Sequence, residues 1–502
     1  MMEGCIYLDH AATTPVDPRV AAFMAEVLAE DLGNAGSNHS PGRRAAQLIA
    51  QARERVAALV GAAAQDIVFT SGATESNNLA ILGHVRGERA DRRRTGHVVT
   101  LATEHKSVLA PVRRLEHEGL KASLLLPDAT GLLAPQGLED ALRAETLLVT
   151  LLHVNNETGV AQDIAALAAV CRERGVALHV DAAQSAGKLP VHAADADYLS
   201  FTAHKLGGPQ GIGALYVSPA RRAAREPLIV GGGQERGLRG GTLATHQIAG
   251  FGLACELARA DLESAAKRIA GLRERLLEGL AGLPGVLLNG DRLRRAPGIL
   301  NLSFEGVEGE SLYSGLAELA VSTGSACSSA TGEPSPVLRA LGRDTQLAQS
   351  SLRFSLGRGS SVADVDAAIA AVRRELGRLR ALSPDRPPPI DDWRAQGASV
   401  VCGEAGERRL GTQIRLVLCV DAEFVKAARF QAYGCPHTLA ACHALVSHLP
   451  GRRCDALQPG TPEQWRQEIG APVEKLGRML IIEDALRNAW DNWKNHRPVL
   501  GV

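Results

Sequence analysis

Several features typical of other protein classes are missing from this 502-residue chain. No apolar stretch approaches the roughly 20 residues needed to cross a bilayer, and the N-terminus carries Glu3 and no apolar secretory core. The 55 basic and 55 acidic residues cancel, so composition gives no argument for nucleic acid or an anionic membrane as partner. The nine cysteines are scattered, which does not fit a disulfide framework. We therefore expect a globular cytoplasmic protein.

Local composition divides the chain into several expected domains. Alternating strand and helix patterns up to about residue 250 predict an α/β layered sheet, and a second α/β unit follows. Three consecutive prolines at 387–389 cannot lie inside a helix or a central strand, so they indicate a domain boundary. We expect a large domain at residues 15–254, a small domain at 1–14 and 255–383, a linker at 384–397 and a C-terminal domain at 398–502.

The same patterns place individual elements. Strands are predicted at residues 67–70, 147–152, 177–180, 212–217, 413–420 and 428–433, and the second α/β unit runs through residues 298–304. Helices are predicted at residues 47–60, 164–174, 254–283, 438–448 and 482–495, with Gly175 as a C-terminal stop for the second of them. The sequence contains no internal repeat and no long low-complexity tract.

Two polar segments that follow predicted strands carry the strongest chemical signal. Asp181 comes directly after the strand at 177–180, and Lys205 follows the apolar run that ends at Phe201. Ligands bind at the carboxyl ends of strands in open parallel sheets. A lysine and a carboxylate at two such ends suit pyridoxal phosphate, which needs an amine for a Schiff base and an acid beside its pyridine nitrogen. A surface lysine and a helix-capping aspartate are the competing interpretation, which the pairing of the two segments disfavours.

The turn at residues 70–76 joins a predicted strand to a predicted helix and is a candidate phosphate site. Its small residues let backbone N–H groups approach an anion, and a helix N-terminus favours negative charge. With Lys205 present, the candidate phosphate contacts are Ala73, Thr74, Thr202 and His204. Many α/β proteins have similar turns that bind nothing, so the turn alone decides little.

His105 and Asn156 also follow strand-like runs and could complete the site. A histidine here could stack on a flat cofactor ring and transfer protons near neutral pH. The amide of Asn156 could bond a ring oxygen or a substrate carboxylate. A structural histidine and a turn-forming asparagine are the alternatives.

Cys327 lies in a run of small and polar residues, 322–333, with little to pack against. Structural cysteines usually sit in apolar strands or helices, so this thiol is predicted to lie on an exposed loop that can reach a substrate. A tolerated small loop residue is the alternative. Arg353 lies in a strand-like run and could clamp an α-carboxylate with two hydrogen bonds, or form a structural salt bridge.

Together these segments resemble the group I cysteine desulfurases of the NifS/IscS type, which are fold-type I pyridoxal-phosphate enzymes. The matching segments are residues 7–15, 70–78, 103–106, 153–159, 179–184, 204–205, 239–242 and 324–327, and the resemblance extends from about residue 5 to residue 383. It implies a large, mainly parallel sheet domain, a small α/β domain and L-cysteine as substrate. The long segment around Cys327 matches group I enzymes, which pass sulfur to acceptor proteins.

The resemblance also implies a role for each matching residue. Lys205 would form the Schiff base, Asp181 would pair with the pyridine nitrogen, and His105 would stack on the ring and transfer protons. Cys327 would attack the sulfur of cysteine, leaving alanine and a persulfide. Thr242 would reach the phosphate in a partner subunit, which implies a homodimer. The further contacts that it implies are Gln184 for the cofactor and Asn34, Asn156 and Arg353 for the substrate.

Residues from about 398 to 497 resemble the NifU/IscU-type iron–sulfur scaffolds, with an α+β fold. Of that family's cluster ligands only Cys435 is retained, since Leu410, Thr412 and the pair Gly477 and Arg478 stand at the other ligand positions. An iron–sulfur cluster needs about four thiolate-type donors. We therefore predict a degenerate scaffold domain without a cluster, which docks on the desulfurase or keeps Cys435 as a weak metal or sulfur-acceptor candidate. Cys402, Cys442, His437 and His443 leave a rebuilt metal site as the alternative.

The favoured function is a cysteine desulfurase that supplies sulfur for iron–sulfur cluster assembly. A selenocysteine lyase or a sulfur donor committed to one thiolation pathway would use the same cofactor. A regulatory or assembly module, in which the fused domain dominates and catalysis is secondary, is an alternative from another class.

Overall fold

The computed structural model describes residues 5–92, 95–222, 225–323, 333–395, 398–421, 423–458 and 460–495. The described strands are β1 (Ile6–Tyr7), β2 (Ile67–Thr70), β3 (His97–Leu101), β4 (Lys121–Leu125), β5 (Thr146–Leu152), β6 (Ala177–Asp181), β7 (Tyr198–Thr202), β8 (Gly213–Val217), β9 (Val286–Leu288), β10 (Ile299–Phe304), β11 (Leu319–Ala320), β12 (Ser322–Thr323), β13 (Ser351–Ser355), β14 (Ser399–Glu407), β15 (Thr412–Asp421) and β16 (Phe424–Tyr433).

The described α-helices are α1 (Pro18–Ala29), α2 (Ser40–Val60), α3 (Ala73–Asn78), α4 (His84–Arg92), α5 (Lys106–His117), α6 (Pro135–Ala141), α7 (Ile164–Glu173), α8 (Thr245–Ala260), α9 (Leu262–Ala281), α10 (Gly309–Ser314), α11 (Pro336–Ala340), α12 (Thr345–Gln349), α13 (Val362–Ala381), α14 (Asp391–Ala395), α15 (Pro436–His448), α16 (Pro462–Glu468) and α17 (Leu476–Asn495). A π-helical segment, Leu79–Gly83, joins α3 to α4. None of the described helices is both long enough and apolar enough to pass through a membrane.

A seven-stranded sheet with the order β2-β8-β7-β6-β5-β3-β4 forms the first half of the chain. The run from β7 to β4 is parallel throughout, and β8 is antiparallel to both of its neighbours. All residues of β5, β6 and β7 are buried, as expected for strands covered by helices on both faces. The carboxyl ends of these three strands therefore meet at one edge of the sheet.

Two smaller sheets follow. The four-stranded antiparallel sheet β12-β13-β10-β9 packs with α9 and α13, and β1 pairs with β11 beside it. The antiparallel sheet β14-β15-β16 packs with α15 and α17 in the C-terminal region. One continuous apolar cluster contains residues of both sheets, from Leu300 to Trp493. The predicted fold class, a large mainly parallel sheet followed by a small α/β unit and an α+β unit, is confirmed.

The structure corrects the sequence-based expectations in two places. The helix expected at 254–283 is two helices, α8 and α9, which meet at Asp261, where the backbone leaves helical geometry at φ −100° and ψ 3°. β14 was missed, because its alternation of buried and exposed residues is interrupted by two glycines. Gly175 does follow α7 with φ +66°, which confirms the predicted stop.

The expected linker is packed against the C-terminal sheet. The side-chain amide of Gln431 donates to the backbone carbonyls of Ser383, Arg386 and Pro387 at 3.1–3.2 Å. Trp393 of α14 is buried, and the guanidinium of Arg429 lies 4.3 Å above its ring. The proline-rich segment therefore covers one face of that sheet.

Candidate functional site

A cavity of about 500 Å³ lies at the carboxyl edge of the large sheet. β6 and β7 pair in parallel with Asp181 opposite Ser200, so the residues that follow each strand enter the same cavity. The predicted site residues among its lining are Ala73, Thr74, His105, Asn156, Asp181, Gln184, Thr202, His204 and Lys205. Tertiary structure thus brings together nine residues that are separated by up to 132 positions in sequence.

Asp181 lies at one end of this cavity and is only 2% exposed. Its Oδ1 accepts a hydrogen bond from the backbone N–H of Ala183 at 2.9 Å, and its Oδ2 accepts one from the side-chain amide of Asn77 at 2.7 Å. Burial raises the pKa of this carboxyl, while the two donors and the nearby His105 and Lys205 act in the opposite direction. The two hydrogen bonds therefore fix the orientation of the carboxylate, and a positive charge beside it favours its anionic form.

Lys205 follows β7 and meets the N-terminal segment of the chain. Its Nζ donates to the backbone carbonyl of Ala12 at 2.8 Å and to that of Ala11. The Thr14 backbone N–H and hydroxyl both bond the carbonyl of His204 at 2.8 Å, which fastens the segment against the loop that carries the lysine. The amine thus lies on the wall of the cavity, within a short side-chain rotation of its interior.

The opposite end of the cavity is built for an anion. Helix α3 begins at Ala73 and has Gly72 as its N-cap, so no side chain caps its first backbone N–H groups. The Thr202 hydroxyl and the His204 ring line the same end. Burial lowers the pKa of His204 to about 4, with Lys205 and Lys188 contributing, so this ring is neutral near pH 7. Backbone amides, a hydroxyl and a neutral imidazole form the donor set.

Close packing holds this anion-binding turn against the sheet. A Cβ placed on Gly213 of β8 would lie 2.6 Å from the Cα of Gly72 and 2.8 Å from the carbonyl oxygen of Phe201. Only glycine therefore permits the turn to approach the strand this closely.

His105 is the N-cap residue of α5, and its ring faces the cavity. Its Nδ1 accepts a hydrogen bond from the backbone N–H of Ser107 at 3.1 Å. Burial lowers the pKa of His105, and Lys205 and Lys106 lower it further against the opposing effect of Asp181. The ring is therefore neutral near pH 7 and is fixed in position by the helix that it caps.

Arg353 forms the structural salt bridge that was one of its two sequence-based interpretations, while its role as an α-carboxylate clamp stays a prediction. Its guanidinium lies 2.7 Å from a carboxylate oxygen of Asp9 and donates to the carbonyl of Asn156 at 2.8 Å. Its Nε is buried and has no hydrogen-bond partner among the described residues. The structural salt bridge therefore exists, and it holds the guanidinium beside a residue that lines the cavity.

Besides Arg353, two predicted site residues among the described ones do not line the cavity. Asn34 is exposed, and its side-chain oxygen accepts from the backbone N–H of Gly36 at 2.9 Å. Thr242 is exposed in the loop before α8. Cys327 falls within residues 324–332 and lies outside the described residues.

The sequence-based reasoning missed three buried polar residues at the site. Asn77 and Ser107 connect Asp181 to His105, and Glu104 accepts from the backbone N–H of Leu152 at 2.9 Å. Burial raises the pKa of Glu104 well above its usual value. The available signal was that Glu104 and Ser107 flank His105 in sequence and that Asn77 follows the turn at 70–76. The neighbouring sequence does not mark any of the three as buried.

The residues present fit pyridoxal phosphate. The cavity lining includes an amine, a buried carboxylate and the uncapped amides at the start of a helix. An added Cβ at Gly72 would have Thr202 Oγ1, at 3.9 Å, as its nearest neighbour, so the helix start has open space in front of the backbone. A phosphate at the helix start and a pyridine nitrogen at Asp181 would match this charge distribution.

The residues at the ligand positions of the C-terminal region do not fit an iron–sulfur cluster. Arg478 donates to the carbonyl of Leu410 at 2.9 Å and to the hydroxyl of Thr412. Its cationic side chain therefore bonds two residues that stand where the scaffold family has cluster ligands. Cys435 is 3% exposed and contacts Thr438. Among the described residues, no group of three or more His, Cys, Asp or Glu side chains is placed to hold a metal ion.

The C-terminal region contacts the small sheet domain through polar bonds near Cys435. The Ser311 hydroxyl of α10 donates to the carbonyl of Gly434 at 2.8 Å, and the Ala432 N–H donates to the carbonyl of Leu382 at 2.6 Å. Lys475 Nζ lies 2.9 Å from a carboxylate oxygen of Glu310. The edge of the domain that carries Cys435 is therefore covered by the rest of the chain.

Two protein families match this chain. Residues 6–368 match the aminotransferase class-V family, and residues 389–498 match the NifU-like N-terminal domain. The sequence is 51% identical to the cysteine desulfurase IscS of Photorhabdus laumondii over 384 residues, which cover 76% of this chain and 94% of that protein.

Solved structures show the same similarity. A NifS-like protein superposes with a TM-score of 0.69 at 34% identity and covers 74% of this chain and 99% of its own. A protein named SspA, solved in complex with cysteine, superposes with a TM-score of 0.63 at 37% identity, covering 70% of this chain and 98% of its own. The similarity spans the region that contains the cavity.

Proposed function

This chain belongs to the cysteine desulfurases within the class-V aminotransferase family, and we propose that it uses the cavity at Asp181 and Lys205 to move the sulfur of L-cysteine onto Cys327. The observation that carries the proposal is the convergence of a lysine amine and a buried carboxylate in one cavity whose far end presents uncapped helix amides. The relative solved with cysteine supports this amino acid as the substrate.

Pyridoxal phosphate, when bound, supplies an aldehyde for a Schiff base and a protonated ring that withdraws electrons from the substrate carbon. Lys205 is the amine for that bond, and Asp181 holds the proton on the pyridine nitrogen. Ala73, Thr74, Thr202 and His204 hold the phosphate. Gln184 and Asn156 line the remaining wall, where they orient the ring and the substrate.

Substrate orientation and proton transfer fall to residues on the other side of the cavity. Arg353 receives the α-carboxylate of cysteine, since its guanidinium is held beside Asn156, which lines the cavity. His105 stacks on the ring, and its Nδ1 is already occupied as an acceptor, so it exchanges protons at Nε2. Asn34 contributes to substrate binding from an exposed turn.

Sulfur transfer needs the thiolate of Cys327 as nucleophile. Its sulfur forms a bond to the sulfur of cysteine while the carbon–sulfur bond breaks and the carbon keeps the electron pair. That carbon takes a proton, L-alanine leaves, and Cys327 carries a persulfide. A thiolate of an acceptor protein then removes the outer sulfur, and the match to the NifU-like domain supports iron–sulfur cluster assembly as the destination.

We also propose a homodimer in a reducing cytoplasm. Thr242 is exposed and follows a glycine-rich loop in which Val230 is 78% exposed, and an apolar side chain this exposed suits a subunit interface. A partner covering this loop would bring Thr242 to the partner's phosphate. Persulfide transfer requires reduced thiols, which a reducing compartment maintains.

The proposed role of the C-terminal domain is that of a tethered, degenerate scaffold without a cluster. Arg478 fills the former ligand positions, and the edge that carries Cys435 faces the small domain. Covalent attachment would raise the effective concentration of such a domain to about the millimolar range. We further propose that residues 1–14 and 255–383 form the small domain, 15–254 the large one, 384–397 the connection and 398–502 the C-terminal domain.

Three variants test the enzymatic proposal in the full-length protein. Wild type should show a visible cofactor absorption band and release alanine from cysteine. Lys205→Ala should lose the band that reports the lysine-bound cofactor. Cys327→Ala should keep the band and lose alanine formation with cysteine, while Cys171→Ala, which changes a buried cysteine of α7, serves as a matched control.

Each alternative gives a different result. Alanine formation that persists without Cys327, above all from selenocysteine, would support a selenocysteine lyase. A wild-type protein that binds cofactor but releases no alanine would support a regulatory or assembly module. A colourless wild type after incubation with pyridoxal phosphate would contradict the proposal.

A further inference from the structure

A continuous path of hydrogen bonds joins Asp181 to His105 through Asn77 and Ser107, and of these four residues only Asn77 does not line the cavity. The side-chain nitrogen of Asn77 lies 2.7 Å from Asp181 Oδ2 and 2.8 Å from the hydroxyl oxygen of Ser107. That hydroxyl oxygen lies 2.7 Å from His105 Nδ1. Asn77 is completely buried and Ser107 is 8% exposed, so water does not compete for these bonds.

The chemistry of the groups fixes the direction of each bond. An amide oxygen facing a carboxylate oxygen at 2.7 Å would be repulsive, so Asn77 must present its NH₂ group and donate to both neighbours. The Ser107 oxygen accepts one of these hydrogens, and its own hydrogen is then available to His105 Nδ1. Asn77 Oδ1 is buried without a partner among the described residues, which shows that the donor side orients this amide.

The path determines the tautomer of His105. Nδ1 receives the backbone N–H of Ser107 at 3.1 Å and lies within hydrogen-bond distance of the Ser107 hydroxyl. An atom that accepts these hydrogens cannot carry one itself, so the proton of the neutral ring sits on Nε2. The ring edge that exchanges protons is therefore set by Ser107, and Ser107 is held by Asn77.

We propose that Asn77 is a positioning residue that couples the two working groups of this site: it holds the Asp181 carboxylate toward the cofactor ring and, through Ser107, holds His105 with its proton on Nε2. This inference rests on the proposed function. It assigns no contact with substrate or cofactor to Asn77 or to Ser107. Both act through the side chains that they bond.

The coupling has a measurable consequence for pH dependence. The charged and titratable groups that face Asp181 are His105 and Lys205, which favour its anion, and Glu104, whose pKa is raised by burial and by Asp181. The Asn77 amide also favours the anion, because it donates to the charged form. Removing that donor must raise the pH at which Asp181 takes up a proton.

The test compares the holoenzyme forms of wild type, Asn77→Ala, Asn77→Asp and Ser107→Ala. The acid-side inflection in the visible spectrum and in kcat/KM should move to higher pH by about one unit in Asn77→Ala. It should move further in Asn77→Asp, because that variant replaces the donor with a like charge. In Ser107→Ala the inflection should stay in place, while kcat falls by up to about a hundredfold as His105 loses its orientation.

Asn78→Ala is the matched control, since this neighbouring asparagine is half-buried and its side-chain amide donates to the carbonyl of Thr74 at 2.8 Å, away from Asp181 and His105. A purely structural role for Asn77 would lower the amount of loaded enzyme at every pH without moving the inflection. Wild-type inflections in both Asn77 variants would therefore overturn the coupling. A wild type that binds no cofactor would instead contradict the proposed function, so the two failures are distinguishable.

Discussion

The guanidinium of Arg478 donates a hydrogen bond to the backbone carbonyl of Leu410 at 2.9 Å. Both residues stand at positions that carry cluster ligands in the related scaffold family, so a cationic side chain now bridges the place where a metal would be held. A fixed positive charge and the loss of thiolate donors both oppose iron binding. This supports the proposal that the domain keeps the scaffold fold without its metal chemistry.

Reconstitution with iron and sulfide tests this conclusion. We expect the full-length protein to retain no stoichiometric iron after desalting, and Cys435→Ser to behave identically in metal analysis and absorption spectra. A cluster that is stable in wild type and absent in Cys435→Ser would show that the site has been rebuilt from other residues.

A second prediction concerns the contact between α10 and the C-terminal domain. Burial acts to lower the pKa of Lys475, but its hydrogen bond to Glu310, together with the charges of Cys435, Glu310 and Glu308, raises it overall. Because both side chains are partly exposed, we expect a coupling of only about 0.2–1 kcal/mol. A double-mutant cycle with Glu310→Ala and Lys475→Ala in denaturant unfolding measures it. The coupling should shrink in 1 M salt, and a zero value at low salt would argue against a docking role for this pair.

A third prediction concerns the anion-binding turn. Gly213→Ala places a methyl group 2.6 Å from the Cα of Gly72, so the turn must move away from β8. We expect a loss of about 1–3 kcal/mol in unfolding free energy together with faster loss of the cofactor band during dialysis. Gly271→Ala in α9 is the control, because an added Cβ there meets nothing within 4 Å. Equal cofactor retention in the two variants would contradict the close-packing argument.

A fourth prediction concerns Lys188, which donates to the side-chain oxygen of Gln184 at 3.2 Å. Burial lowers the pKa of Lys188 to about 7, with added repulsion from Lys205, Arg353 and Arg358. The folded state thus binds this proton less tightly than the unfolded chain, where the pKa lies near 10.4. The charged Lys188 therefore lowers the free energy of unfolding by its full amount below pH 7, and this effect fades as pH rises toward 10.

Lys188→Met should therefore gain stability relative to wild type, by about 1 kcal/mol near pH 6, with the difference shrinking toward pH 10. Urea unfolding across this pH range measures it. Lys267→Met in α9 is the control, with no expected pH-dependent difference. If the stability gained by Lys188→Met over wild type grew with pH instead, the pH dependence would be the opposite of that expected and the argument would be refuted.

Much of the large sheet and the main site could be predicted from sequence. β2, β5, β6 and β8 were placed to within one residue at each end, because strands that are buried on both faces form short apolar runs between polar loops. Asp181 and Lys205 follow such runs directly, so their meeting at one edge required only the parallel topology. The turn at 70–76 was recognisable for the same reason.

Other features depended on contacts that no local pattern encodes. Asp261 interrupts a long helical pattern without a proline or glycine, so sequence periodicity favoured one continuous helix. The role of Asn77 also escaped local analysis, because its buried position depends on the packing of α3 against α5 and β6. The bond from Arg478 to Leu410 joins residues 68 positions apart.

The sequence by itself determined which strand ends carry an amine, a carboxylate and an imidazole. It also determined which family this order of motifs resembles. Tertiary structure alone decided which of those groups touch, which atom of His105 carries the proton and which face of the C-terminal domain is covered. The reason is physical. Local propensities act over a few residues, whereas hydrogen-bond direction, burial and pKa are set by neighbours that only the folded chain brings within 3 Å.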